Sequence, residues 1–350
     1  MENKKFLKIS LIYLIVMGLI ASVFLLSSYG LEIHDSWYSL LIQVVILAVL
    51  TFGLYTAFVS KKPKQTFKDF GFKPVSSKIV GISILLGVLL FMLNSVVSNI
   101  FNGIIYYLGY ETLSVAPLAT NKYNGSWLIT EIFFTACLPA VCEEFVHRGL
   151  LFNASKKTIG TRHALFISSL LFGLIHFNVQ QVFYATILGY LIGLSSYYTD
   201  SIYPSIILHF INNFLSIVFT YIEANYGIGL DFVSLIQGLG VTDGALSIML
   251  LSLALMALIG GIIWCFRALH KQHYVDKVQK YLHVLSTQGV NEIDEREVTL
   301  QLEKMELDRA QEFSTNQKFR AMPEKYKTAY RICVLFGSII TLFTFIWGIL

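Results

Sequence analysis

The chain has 350 residues, of which 55% are hydrophobic and 14% charged, and its mean hydropathy is +0.64. A soluble globular chain is nearer a quarter charged, so this composition excludes a soluble enzyme and points to a polytopic membrane protein. The net charge of +4 is small and dispersed, which excludes a nucleic-acid partner; the cysteines, Cys137, Cys142, Cys265 and Cys333, lack metal-type or disulfide-framework spacing.

In chain order, a basic start at Met1 to Lys8 precedes an uncharged run from Ile9 to Tyr29, longer than a signal-peptide core and read as a retained anchor. A second span covers Trp37 to Val59, long enough for a hydrocarbon core of about 30 Å. The stretch from Lys61 to Lys78 holds six lysines and one aspartate, and Pro63, Gly71 and Pro74 prevent a continuous helix there. A third span runs from Ile79 to about Leu108, and a fourth from Trp127 through Phe152, with Pro139 expected to kink it. Ala164–Phe177, Gln180–Tyr198 and Ile202–Ile222 form the fifth to seventh, Ala245–Phe266 the eighth and Ile332–Leu350 the ninth. The expected fold is all-α, a polytopic helical bundle of about nine spans with a small helical cytoplasmic segment.

Loops rich in lysine and arginine face the cytoplasm. With the N-terminus inside, 61–78, 156–163 and 267–331 fall inside, while the lysine-poor loops 30–36, 109–126 and 223–244 fall outside. The chain divides into two helices with a basic loop (1–78), a core (79–222), an outer loop with the eighth helix (223–266), a helical cytoplasmic segment (267–331) and a last helix (332–350). In the cytoplasmic segment, Val275, Val278, Leu282 and Leu285 recur at helical spacing. Residues 267–327 are read either as a docking site for a cytoplasmic partner or as a helical spacer.

Three membrane helices carry polar residues that bilayer energetics disfavours. The fourth holds an earlier acid, Glu131, and then the stretch Cys137 to Arg148, with adjacent Glu143 and Glu144. A carboxylate at mid-membrane costs about 2.5–3.5 kcal/mol on insertion scales. Residues four apart share a helix face, so Glu144 reaches Arg148 while Glu143 points about 100° away and is left available. The bland alternative is a charged cluster reaching for water at a helix end. The fifth span carries His176, and the seventh carries His209 and Asn213 on one face. At about 1.5 Å per residue, Glu143, His176 and His209 lie roughly 15, 18 and 11 Å from the cytoplasmic helix ends, one layer that suggests a water-filled cavity.

In that order, Glu143-Glu144-x-x-x-Arg148, Phe172-x-x-x-His176 and His209-x-x-x-Asn213 resemble the three signature motifs of the CPBP intramembrane proteases. That family groups CAAX prenyl endopeptidases with bacteriocin-processing and immunity (Abi) proteins, and the resemblance covers about residues 79–222. It implies peptide-bond hydrolysis in a membrane cavity opening to the cytoplasm. Glu143 would be the general base, His176 would orient and activate water, His209 and Asn213 would stabilise the oxyanion, and Glu144 with Arg148 would hold the helix. His147 departs from the pattern, where many members have phenylalanine; it either hydrogen-bonds the base or faces the cytoplasm.

Glu143, His176 and His209 are also a candidate zinc set, with water as fourth ligand. The chain lacks HExxH, and the glutamate–water scheme needs no metal, so the cofactor expectation stays between none and zinc, leaning to none. The partners implied are the lipid bilayer and a membrane-associated peptide or protein, in a bacterial cell membrane. The rival readings are a non-catalytic scaffold or immunity protein of the same fold, which need not keep the whole motif set, and a transporter, against which no inverted repeat is evident.

Overall fold

The computed structural model describes residues 2–28, 34–110, 123–229, 244–287, 295–314 and 317–347, among which there are helices and turns and no strand. The main helices are α1 (Glu2–Ser28), α2 (Asp35–Ser60), α3 (Ser77–Tyr107), α4 (Gly125–Ile159) and α5 (Thr161–Leu174). They continue with α6 (Val179–Thr199), α7 (Tyr203–Tyr226), α8 (Gly244–Thr287), α9 (Glu295–Ser314) and α10 (Thr328–Trp347). Side chains set several starts: Asn124 accepts from the Trp127 amide at 2.8 Å, and Asn178 from the Gln180 amide at 2.8 Å. Pro204 occupies the first turn of α7 and Gly227, at φ 68°, ends it.

Seven described helices are long and apolar enough to cross a bilayer: α1, α2, α3, α4, α7, α8 and α10. The fifth and sixth expected spans are present as helices but not among the seven. α5 has 14 residues, about 21 Å, which is short of a core of about 30 Å. The chain turns at Ile175–Asn178, with Phe177 at φ 50°, and α6 returns against α5. The two form a hairpin that ends where it began, so the sidedness expected for the later helices is unchanged. The integral-membrane character stands.

The apolar side chains collect in two cores. One joins α1, α2, the second half of α4, α5 and α10, with Tyr13, Val16, Met17, Phe152 and Leu165 at its centre. The other joins α3, α6, α7 and α8 through Leu86, Leu90, Ile192, Leu208 and Leu269. Gly337 lets α10 lie close, since a Cβ there would stand 2.6 Å from Met17 and 2.9 Å from Leu174.

The lysine-rich loop after α2 folds across one end of the bundle. Phe70 is fully buried there; its ring centroid lies 4.8 Å from that of Phe145. Phe72 stacks edgewise near Phe145 at 5.9 Å and Tyr203 at 5.8 Å. Main-chain groups fasten the loop: Asn153 Nδ2 donates to the Phe70 carbonyl at 3.1 Å, the Ile202 amide to that of Gly71 at 3.0 Å, and Ser201 Oγ to that of Lys73 at 2.6 Å. On the same end, α8 runs on and α9 folds back. The Arg309 guanidinium sits 4.6 Å above the Tyr197 ring, and Phe313 packs on that ring at 4.8 Å. The 267–327 segment is thus packed against the core on one side, while Leu300, Met305 and Leu307 are exposed.

Asp200 closes this end. It caps α6 in the left-handed region at φ 55°, and its carboxylate accepts from Lys73 Nζ and Lys156 Nζ, each at 2.9 Å. Burial opposes its charge, but Lys156 and then Lys73 hold its carboxyl well below the usual carboxylate range. A depressed folded pKa gives stability that is present above the unfolded value of about 3.9 and lost as pH falls towards the folded one. Thermal unfolding is therefore expected to change little between pH 7 and pH 5 on this account and to weaken below about pH 4. Asp200→Asn, which tolerates the same backbone, is expected to cost about 1–2 kcal/mol at neutral pH and to flatten the acid limb in a melting series.

Candidate active site

The site lies where α4 passes between the two cores. α4 contains widened, π-helical turns at Ile132–Cys137 and Phe145–Asn153, and Pro139 sits between them. Pro139 has no N–H to give the Thr135 carbonyl four residues earlier. Asn213 Nδ2, from α7, donates to that carbonyl at 3.1 Å. The proline thus frees an acceptor that ties α7 to α4 beside the glutamates.

The two glutamates have different surroundings. Glu144 is fully buried: its Oε1 accepts from Arg148 Nη1 at 3.0 Å and from His209 Nδ1 at 2.9 Å. Arg148 is also fully buried; Nη2 donates to the Gly189 carbonyl on α6, and the guanidinium lies 4.8 Å from the Phe172 ring centroid. Glu143 points elsewhere and is half-buried, with Oε1 accepting from Gln43 Nε2 of α2 at 2.9 Å. The helix-face separation read from the sequence is the geometry observed.

Phe172 is the hub for the histidines. Its ring lies 5.0 Å from His147, 5.3 Å from His176 and 5.5 Å from His209, each edge-on. His176 Nδ1 is 2.8 Å from the Phe172 carbonyl. A carbonyl only accepts, so Nδ1 carries a proton and Nε2 is the ring nitrogen left for other partners. His209 gives its Nδ1–H to Glu144, so only its Nε2 remains for other partners. His147 follows neither expectation made for it. Its Nδ1 donates to the Glu143 main-chain carbonyl at 2.7 Å rather than to the carboxylate, and it is fully buried against Tyr13, whose hydroxyl donates to the Leu171 carbonyl at 3.0 Å.

Glu143, His176, His209 and Asn213 all line one cavity of about 520 Å³ between α3, α4, α6 and α7. The depth estimates that put the first three in one layer agree with this. The cavity does not run towards the lysine-rich end, which the resemblance would make its mouth. It follows α7 the other way, past Ser216 and Thr220 to Glu223.

Four contributors have no role in the sequence reading. Gln43 holds Glu143, and Asn94 Nδ2 donates to Asn212 Oδ1 at 3.4 Å, Asn212 Nδ2 to Asn213 Oδ1 at 3.1 Å. Tyr13 brings the first helix to the back of the site. Gln43 is a lone amide in an apolar span and Asn94 one of three with Asn99 and Asn102, a signal the sequence does carry.

The residues as placed do not suit zinc. Among the described residues no three of His, Cys, Asp and Glu are grouped to hold a metal ion. The Nδ1 contacts of His176 and His209 leave each Nε2 open, as in a metal-ligating histidine, so it is the lack of such grouping, and not these hydrogen bonds, that keeps Glu143, His176 and His209 from forming a ligand set as placed.

Residues 125–215 match the family described as type II CAAX prenyl endopeptidase Rce1-like. The matched stretch runs from the start of α4 into α7 and contains all three motifs, and it bears out the resemblance to the CPBP intramembrane proteases. That family is a protease family, which supports an intramembrane protease here. No curated protein and no solved structure matches the chain.

The burial difference predicts a split between the glutamates. Glu144→Gln leaves a fully buried guanidinium without its countercharge and is expected to destabilise by about 3–5 kcal/mol. Glu143→Gln, half-buried and bound only to an amide, is expected to stay within about 1 kcal/mol of the parent. Thermal unfolding in detergent distinguishes the two; equal losses would assign the faces wrongly.

Proposed function

We propose that the protein is an intramembrane endopeptidase that hydrolyses a peptide bond of a membrane-associated peptide or protein with water activated by Glu143 and His176. The observation that carries this reading is the convergence of Glu143 from α4, His176 from the turn after α5, and His209 and Asn213 from α7 on one cavity. The lysine-rich end is taken as cytoplasmic.

In this reading a water lies between the Glu143 carboxylate and the bare Nε2 of His176. Glu143 takes one of its protons as the oxygen attacks the scissile carbonyl, and His176 orients the other. Charge moves to the carbonyl oxygen, where His209 and Asn213 are the donors. Asn213 Nδ2 has a second hydrogen beyond the one given to Thr135. His209 needs a proton on Nε2 as well as the one given to Glu144, so it acts as imidazolium, with Glu144 as its countercharge. The tetrahedral intermediate then collapses: the C–N bond breaks, and the proton held by Glu143 passes to the leaving amine. The buried ion pair keeps His209 in register and takes no proton.

Comparative peptidomics of membranes carrying the parent protein or Glu143→Gln identifies the cleaved peptide. With that peptide, Asn213→Ala is expected to lower turnover by about 10²–10³, or about 2.7–4 kcal/mol, while still capturing the substrate in a pull-down. Full biological activity of Asn213→Ala, with no cleavage by the parent protein, would replace this reading with the scaffold.

A further inference from the structure

The cavity and the end of the bundle opposite to it bear on what the site accepts and from where. At the lysine-rich end, Phe70 and Phe72 of the loop after α2 pack on Phe145 and Tyr203, and the loop is fastened by three main-chain hydrogen bonds. Side chains therefore fill the route that a cytoplasmic mouth would need. Towards the other end α5 stops at Leu174, and the tip of its hairpin, Ile175–Asn178, brings His176 to the cavity wall. Beyond that tip α3 and α7 face the cavity with Asn94, Ser98, Asn99, Ser216, Thr220 and Glu223.

Amides and hydroxyls within a membrane bundle must be met by water or by a polar ligand, and the exposed Glu223 stands at the far mouth of the lane. An isoprenoid chain could rest on Phe91, Ile217 and Phe219, which also line the lane, but it would strip the water from the polar groups and return no hydrogen bond. An extended peptide offers an N–H and a C=O at every residue. From His209 to Glu223 the lane follows α7 for about 21 Å, the span of about six extended residues. Glu223 has no cationic partner among the described residues. From these observations we infer that the substrate is an unlipidated, extended peptide segment that reaches the site along this lane from the lysine-poor end, with a basic group opposite Glu223. The substrate part of this rests on the hydrolytic reading above; the route does not.

The route is tested by thiol labelling of the full chain with its native cysteines replaced by alanine. Ser216→Cys in the lane and Ser286→Cys on the exposed face of α8 are treated with a membrane-impermeant cationic methanethiosulfonate in right-side-out and in inverted vesicles. Modification of Ser216→Cys from the face opposite to that of Ser286→Cys is expected. Modification from the same face, or from neither, overturns the route.

The occupant is tested with a matched pair of peptides that span the bond whose cleavage depends on Glu143, one farnesylated and one not. The unlipidated peptide is expected to be cleaved with kcat/KM at least roughly tenfold higher, and Glu223→Gln to raise its KM roughly tenfold with kcat unchanged. Cleavage of the lipidated peptide alone overturns the occupant and leaves the hydrolytic reading standing. Cleavage of neither peptide overturns both, and the labelling still decides the route.

Discussion

The buried contact between Glu144 and Arg148 is the constraint on which the site depends. Both side chains are fully inside the bundle, and they reach different helices: Glu144 accepts the Nδ1–H of His209 on α7, and Arg148 reaches the Gly189 carbonyl on α6 and the Phe172 ring on α5. A charge in that position is costly unless paired and hydrogen-bonded. Pairing at i and i+4 on one helix makes the solution local, and the remaining donors and acceptors then fix the neighbouring helices. Close packing supports this: a Cβ on Gly189 would stand 2.9 Å from the Phe172 ring and 3.4 Å from Arg148 Nη2.

With Glu144 engaged in the buried contacts, Glu143 is the carboxylate that the proposed mechanism uses, and the other groups around it are consistent with that division. His176 and His209 each spend Nδ1 on protein oxygen, so their Nε2 atoms remain for other partners. Asn213 is held at both ends of its amide, by Thr135 and by Asn212. Pre-set donors and acceptors of this kind need little rearrangement during a reaction, which is what electrostatic stabilisation of a transition state requires. In the proposed mechanism the same rigidity lets one face of α4 bear a permanent charge pair while the adjacent residue gains and loses a proton.

Much of this was legible in the sequence, for a physical reason. The 3.6-residue period fixes which side chains on one helix can meet, so the Glu144–Arg148 pair and the separate direction of Glu143 follow from spacing. The convergence of three helices follows from the cost of polar groups in lipid. What spacing does not supply is the partner on another helix. Gln43, Asn94 and Asn212 are amides outside any motif, and which of them meets Glu143 or Asn213 depends on helix crossing. His147 looked like a partner for the Glu143 carboxylate because it is four residues on; within the widened turn that follows Glu144 it meets the main-chain carbonyl instead. The shortness of α5 was already in the sequence, since Ala164–Phe177 has only 14 residues, the length of the observed helix, and reading it as a full span set that length aside. Pro63, Gly71 and Pro74 marked a loop, yet nothing in its pattern said that Phe70 and Phe72 would fill the lysine-rich end.

Direct attack by water is the central claim, and oxygen labelling in a single turnover tests it most directly. The purified protein, in excess over its Glu143-dependent peptide, is mixed in water enriched in ¹⁸O, and both product and protein are analysed by mass spectrometry. The account predicts one ¹⁸O in the new carboxylate of the product and none in the peptide of the protein that contains Glu143. An unlabelled product, with ¹⁸O appearing in Glu143, would show that the glutamate attacks the substrate itself and would contradict its role as a base.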